Sequence, residues 1–272
     1  AYRGMLAPAS RRAAEFDRVH LRQHMVGVDI ARRGMSAASQ NIFATEATAG
    51  GIHAASDGSH SLRYLERLAR QTLPRRETFE RSVEVMAFEP GEVIFESNEE
   101  FPYLFALLKG GVKTRVSVHG AERLTSIARP GELLGSLSSI LPAGLAELLG
   151  NDVVSSNFGA ESGFGLTNTS GVAFTHSVVE RFDMRVLQAL MERHAAWAMA
   201  GYHAMALYAL SQERRVRDLL TLSAEDRYVN FLVDVPEMIG VLAQKDIAAY
   251  VGVTPVGLSR IATRVREVSR LR

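Results

Sequence analysis

The tightest constraint on folding is a run of four residues near the end of the chain, Gly252-Val253-Thr254-Pro255. Glycine accepts the left-handed backbone that ends a helix. Threonine caps a following helix, and proline suits its first position, where a missing N–H is no loss. One helix must therefore stop and another begin within this stretch, with Val253 filling the space between them. Upstream, Ile247, Ala248 and Val251 place apolar and small groups on the inner face of the first helix, and downstream Leu258 and Ile261 turn inward on the second. A small residue at Ala248 is what a close crossing of two helices requires. Ser259, Arg260, Thr263 and Arg264 are left on the outer face or its flank, and Arg266, Arg270 and Arg272 follow as a basic tail. An ordinary helical hairpin could share the inner pattern. The outer face and the tail together favour DNA binding.

At 272 residues the chain exceeds one typical domain, and two domains plus an extra segment are expected. The formal net charge is +1, so any electrostatic signal for nucleic acid is local. The absence of cysteine excludes disulfides, zinc ribbons, thiol switches and iron–sulfur clusters held by cysteine. No apolar run approaches the roughly 18 residues that span a membrane. The first 35 residues hold seven arginines against three acids, which reads as a basic tail rather than an organellar transit peptide. Residues 36–60 are rich in Ala, Ser, Thr and Gly without period, a linker. Leu62, Leu65, Leu68 and Ala69 then fall at helical spacing behind a serine cap, before Pro74.

Between Val83 and Ile127 the signal is β, with runs at Val93-Ile94-Phe95, Tyr103 to Leu108, Val112 to Val118 and Leu124 to Ile127, separated by turn residues such as Pro90-Gly91, Gly110-Gly111 and His119-Gly120. This spacing predicts an antiparallel barrel or jelly roll. Residues 136–171 are rich in Ser, Gly, Ala and Leu, and no Lys or Arg occurs from Pro130 to Glu180. Val172-Ala173-Phe174 reads as the last strand. From Ser177 to about Ser223 the period is helical, and Phe182, Val186, Leu190, Trp197, Gly201, Met205 and Tyr208 trace a stripe that a second copy would cover.

The run from Gln244 to Ile261 resembles the recognition unit of CRP/FNR transcription regulators. Phe88-Glu89-Pro90-Gly91-Glu92-Val93-Ile94-Phe95, Leu107 to Val112 and Pro130-Gly131-Glu132-Leu133-Leu134-Gly135 resemble their cyclic-nucleotide-binding-like sensor, and the long helix resembles their dimer helix. The resemblance spans roughly 62–266. It implies an α+β fold: a flexible basic extension over 1–60, a β-barrel or jelly-roll sensor over 61–180, a dimerisation helix over 181–210 and a winged helix-turn-helix over 211–272. It also implies a cytoplasmic homodimer that binds double-stranded DNA, meets RNA polymerase and answers to a small-molecule effector. Residue by residue, it places Gln244 and Lys245 on backbone phosphate, Thr254 and Ser259 on phosphate or as helix caps, and Arg260 on a guanine edge, with Arg264 on the flank. Val256 stands where many members carry glutamate, which favours contact with a thymine methyl over a cytosine amine. Ala243 replaces the usual capping threonine, and Gly257 is a poor helix former.

In relatives that bind cyclic AMP or GMP, a Gly-Glu pair takes the ribose and a following arginine neutralises the phosphate. Here Gly131, Glu132, Gly135 and Ser136 mark the corresponding pocket, but Ser136 stands in place of the glutamate and no cation follows before Arg181. A buried phosphate without a cation is costly, so the expected effector is not a cyclic nucleotide. Haem stays open as a cofactor, although the eight histidines have no diagnostic spacing and no metal site is expected. His20 and His24 could share one helix face in the basic tail, a weak metal signal. No phosphate loop, nucleophile elbow or His-Glu-x-x-His motif points to an enzyme. The rival reading is a small-molecule-binding or interaction module whose helix-turn-helix has decayed, to which Val256 and Gly257 lend support.

Overall fold

The computed structural model describes residues 58–118, 121–140 and 166–270. These form two compact units that divide between Arg214 and Arg215, within one continuous helix. Nearly all of the extension expected over 1–60 lies outside the described residues, as do the His119-Gly120 turn, most of the serine- and glycine-rich segment (141–165) and Arg272.

The first unit opens with helix α1 (His60–Ala69). Ser59 caps it, its Oγ accepting from the Leu62 amide at 3.2 Å. The buried Glu180 carboxylate accepts from the amides of His60 (2.8 Å) and Ser61 (2.7 Å) and from the Ser61 hydroxyl (2.7 Å). Negative charge thus meets the helix end where the dipole favours it. Helix α2 (Arg76–Glu80) follows.

Among the described residues eight strands come next: β1 (Glu84–Phe88), β2 (Val93–Phe95), β3 (Tyr103–Lys109), β4 (Val112–Val118), β5 (Ala121–Ala128), β6 (Leu133–Leu134), β7 (Ser170–Ala173) and β8 (Ser177–Asp183). They form two antiparallel sheets in the orders β1-β8-β3-β6 and β2-β7-β4-β5, the connectivity of a jelly roll. A closed barrel is not formed. The edge strands β1 and β6 of one sheet and β2 and β5 of the other do not pair across, and side chains fill the space between the sheets instead. That filling includes Phe95, Phe105, Leu107, Val112, Leu134 and Val179. The rings of Phe95, Phe101 and Phe105 stack at 5.7–6.0 Å.

Two strand expectations need correction. The last strand is β8, not the run at Val172-Ala173-Phe174, and β8 occupies residues that read as the start of a helix. Phe182 lies at helical spacing from Val186 and Leu190, which hides the β-branched pair Val178-Val179 that favours a strand.

A short helix α3 (Leu137–Ile140) follows β6. After β8 come α4 (Met184–Arg193), capped by Asp183, and α5 (Ala195–Thr221), with His194 extended between them (φ −138°, ψ 114°). The expected dimer stripe is therefore not one helical face. Phe182, Leu190 and Trp197 are buried with Leu62, Leu65 and Phe79 in a core of their own unit. The Trp197 indole N–H donates to the Pro74 carbonyl at 2.7 Å. Gly201 faces inward too, since a Cβ there would lie 2.5 Å from the end of Met191. Of the stripe, Met205 and Tyr208 are exposed, and they are joined by Met199, Tyr202, Leu207 and Leu210.

The second unit contains the last turns of α5, then α6 (Ala224–Asp234), a 3₁₀ turn (Pro236–Met238), α7 (Gln244–Val251) and α8 (Pro255–Arg270). Val229, Ile261 and Val265 form a core against which Leu232 and Val253 pack. No strand lies among the described residues of this unit, so the expected wing has no counterpart there. No helix among the described residues is long and apolar enough to cross a membrane.

Candidate functional site

Helices α7 and α8 meet at the turn that the sequence specifies. Gly252 closes α7 in the left-handed region at φ 78°. The Thr254 hydroxyl accepts from the Gly257 amide at 3.1 Å, and Pro255 is the first residue of α8. Gly257 suits this cap: a Cβ there would sit 3.2 Å from Thr254 Oγ1, tighter than ordinary contact. Ile247, Ala248 and Val251 are buried on α7, as are Leu258, Ile261 and Val265 on α8.

That packing leaves a polar face. Gln244, Lys245, Thr254, Val256, Ser259, Arg260, Thr263 and Arg264 are all exposed. Val256, at 64% exposure, is an apolar side chain that the unit's own core does not use. Arg260 and Lys245 form no ion pair among the described residues. Arg264 differs, because its guanidinium pairs with Glu225 of α6. Ala243 offers α7 no side-chain cap.

The opposite end of α7 is closed by arginines that the sequence did not single out. Arg215 of α5 donates to the Tyr250 carbonyl and stacks on the Tyr250 ring, 4.0 Å from its centroid. Arg227 of α6 donates to the Val251 carbonyl at 2.8 Å and the Leu222 carbonyl at 2.6 Å. Burial draws the Arg215 guanidinium below its ordinary pKa; Tyr250 opposes this and Arg227 adds to it. These partners could not be read from spacing, because the arginines and the carbonyls they meet belong to different helices.

In the first unit the four candidate effector residues take distinct places. Gly131 (φ 91°) donates its amide to the Leu107 carbonyl at 2.6 Å. The Glu132 carboxylate turns back on Arg129, accepting from its Nη2 at 2.7 Å, its Nε at 3.0 Å and its amide at 2.9 Å. Gly135 has φ 151°, which L side chains rarely adopt, and a Cβ there would fall 2.4 Å from Leu104 Cδ2. Ser136 is buried, and its hydroxyl donates to Asn168 Oδ1 at 2.9 Å while accepting from the Asn168 amide at 3.1 Å. Ser138 and Ser139 extend the network to the carbonyls of Leu166 (2.7 Å) and Ser136 (2.8 Å). Hydroxyls and the Asn168 side chain thus gather around Ser136. Ser138 and Asn168 were not anticipated; Asn168 lies 32 positions from Ser136 and meets it only in the folded chain.

Among the described residues, no group of three or more His, Asp or Glu side chains is arranged to hold a metal.

Residues 85–145 match the cyclic nucleotide-binding domain family. Jelly roll, long helix and helix-turn-helix follow one another in this order, a fold shared with solved structures of low sequence identity. FixK2 from Bradyrhizobium japonicum is similar at 17% identity and TM-score 0.52, over 68% of this chain and 85% of that one. The c-di-GMP responsive global regulator CLP from Xanthomonas campestris is similar at 15% identity and TM-score 0.49, over 70% of this chain and 90% of that one. No curated protein sequence matches the chain.

Proposed function

We propose that the chain is a sequence-specific DNA-binding transcription regulator that works as a homodimer, not an enzyme. The observation that carries this reading is the α7–α8 pair: a closed inner core beneath an outer face on which Val256, Ser259 and Arg260 are exposed and unengaged by the core. An arginine on such a helix can meet the O6 and N7 of guanine with two N–H groups, and Val256 can lie against a thymine methyl. Gln244, Lys245 and Thr254 stand at the two helix starts, where phosphate contacts fix register. Arg264, held by Glu225, supports α8 rather than reading a base.

The dimer reading rests on the exposed apolar set of α5, namely Met199, Tyr202, Met205, Leu207, Tyr208 and Leu210. A helix with so many large apolar groups in water is stabilised by a second copy. Two copies then present two α8 helices to half-sites about one DNA turn apart. The effector of the jelly roll is not a cyclic nucleotide on this reading. Ser136 is satisfied internally, Glu132 is paired with Arg129, and no cation occurs from Pro130 to Glu180.

Selection of bound duplexes from a random-sequence pool, followed by gel shift, tests the function. Enrichment of a two-fold symmetric site is expected. A pool that stays random after repeated rounds leaves the interaction module as the surviving reading.

A further inference from the structure

The last four carbonyls of an α-helix have no partner within it. In α7 all four are satisfied, and in two different ways. The Ala248 and Ala249 carbonyls accept from the amides of Val253 (2.9 Å) and Gly252 (3.2 Å) in the turn itself. The Tyr250 and Val251 carbonyls accept from Arg215 and Arg227, which belong to α5 and α6. Two cations at this end also match the negative pole of the helix dipole.

Arg215 is the more telling of the two. It is the first residue of the second unit, on a helix that continues unbroken from the first. Its guanidinium holds the Tyr250 backbone and ring together, and that ring lies 5.6 Å from the ring of Phe231, which is buried. Four residues along the same helix, Leu219 reaches the turn, with its Cδ2 3.5 Å from where a Cβ on Gly252 would lie. Arg227 links the same region a second time, bridging the Leu222 carbonyl just after α5 to the Val251 carbonyl. The other end of α7 has no side-chain cap. The end of α5 and the end of α7 are therefore fastened together.

We infer that Arg215 is a positioning residue that fixes α7, and with it the helix-turn-helix, against the last turns of α5 within the second unit. The consequence for DNA rests on the regulator reading above; the clamp itself does not. A planar guanidinium can stack on a ring and donate in its own plane at once, whereas a lysine ammonium can do only the second well. The substitution series follows from that difference.

The test uses the full chain and two readouts. Hydrogen exchange is measured in wild type, Arg215→Ala, Arg215→Lys and Tyr250→Phe, alongside affinity for a selected duplex and its scrambled counterpart. In Arg215→Ala, exchange across residues 250–254 is expected to rise about tenfold, the size of one charge-assisted hydrogen bond, while segments around Val229 and Ile261 keep wild-type protection. Affinity for the selected duplex falls about tenfold, and affinity for the scrambled one changes less than about twofold. Arg215→Lys shows both changes at smaller size, and Tyr250→Phe, which keeps ring and carbonyl, behaves as wild type. Unchanged exchange across 250–254 in Arg215→Ala overturns the clamp. Equal loss on both duplexes overturns the positioning role, because a phosphate contact predicts that outcome. If Arg215→Ala does not fold, Arg215→Lys decides, and its identity with wild type in both readouts refutes the inference. If wild type prefers no sequence at all, the regulator reading fails while the exchange result still decides the clamp.

Discussion

Arg260 carries the heaviest weight at the scale of single residues. It lies on the exposed side of α8, away from buried Leu258 and Ile261, and pairs with no acid among the described residues. If it reads a guanine, Arg260→Ala relaxes preference at one symmetric pair of positions, by about 1–3 kcal/mol, without loss of fold. Lys245→Ala is the internal control: affinity should fall evenly for all sequences and the salt slope should shrink by about one unit. Equal losses on specific and scrambled DNA for Arg260→Ala would remove it as a base reader. The residues legible in the sequence were those whose conformational limits are local. Gly252, Thr254 and Pro255 each dictate their own backbone, and the structure finds them in the roles they dictate. Arg215, 35 positions from the Tyr250 carbonyl it meets, was not legible, nor was Asn168, 32 positions from Ser136. The Arg264–Glu225 pair was not legible either, because Glu225 becomes a neighbour only when α6 packs on α8.

Among the elements, the turns around β2, β3 and β4 set the strands close to where the turn residues predicted them, since glycine and proline punctuate the chain locally. The boundary at Ser177–Asp183 was misread because one apolar spacing served two periods. Its end carries a testable charge. Asp183 caps α4, accepting from the Arg185 amide at 2.8 Å and pairing with the Arg185 guanidinium. Partial burial would raise its pKa, but the hydrogen bonds and charge of Arg185 hold it below the ordinary carboxylate value. A depressed carboxylate contributes stability that is complete above its unfolded pKa, about 4, and is lost as pH falls through the lower folded value. The urea midpoint of wild type should therefore drop more than that of Asp183→Asn between about pH 5 and pH 3. Parallel curves would show that the cap does not titrate with folding.

On α5, the buried side is used by Trp197 and Ala200, and the apolar groups that face water are the ones to test. Light scattering should find a dimer at micromolar concentration, and replacing Met199, Tyr202 and Leu210 together by glutamate should give a folded monomer. A wild-type monomer, with or without DNA, contradicts the interface.

For the whole molecule, the chain joins a jelly roll of cyclic-nucleotide-binding type to a helix-turn-helix by one helix that belongs to both units. The order of these parts was legible, because each leaves its own period in the sequence. The openness of the sheets was not, since strand spacing is the same for a barrel and for two packed sheets. Titration calorimetry with cyclic AMP and cyclic GMP should give no micromolar binding. Micromolar affinity for either would mean that the Ser136–Asn168 network gives way to a ligand. The claim that the chain reads DNA sequence is tested most directly by fluorescence anisotropy, titrating the protein at one fixed salt concentration onto a selected duplex and onto its scrambled counterpart. A sequence-reading dimer binds the selected duplex at least about a thousandfold more tightly, whereas equal affinity for the two would contradict it.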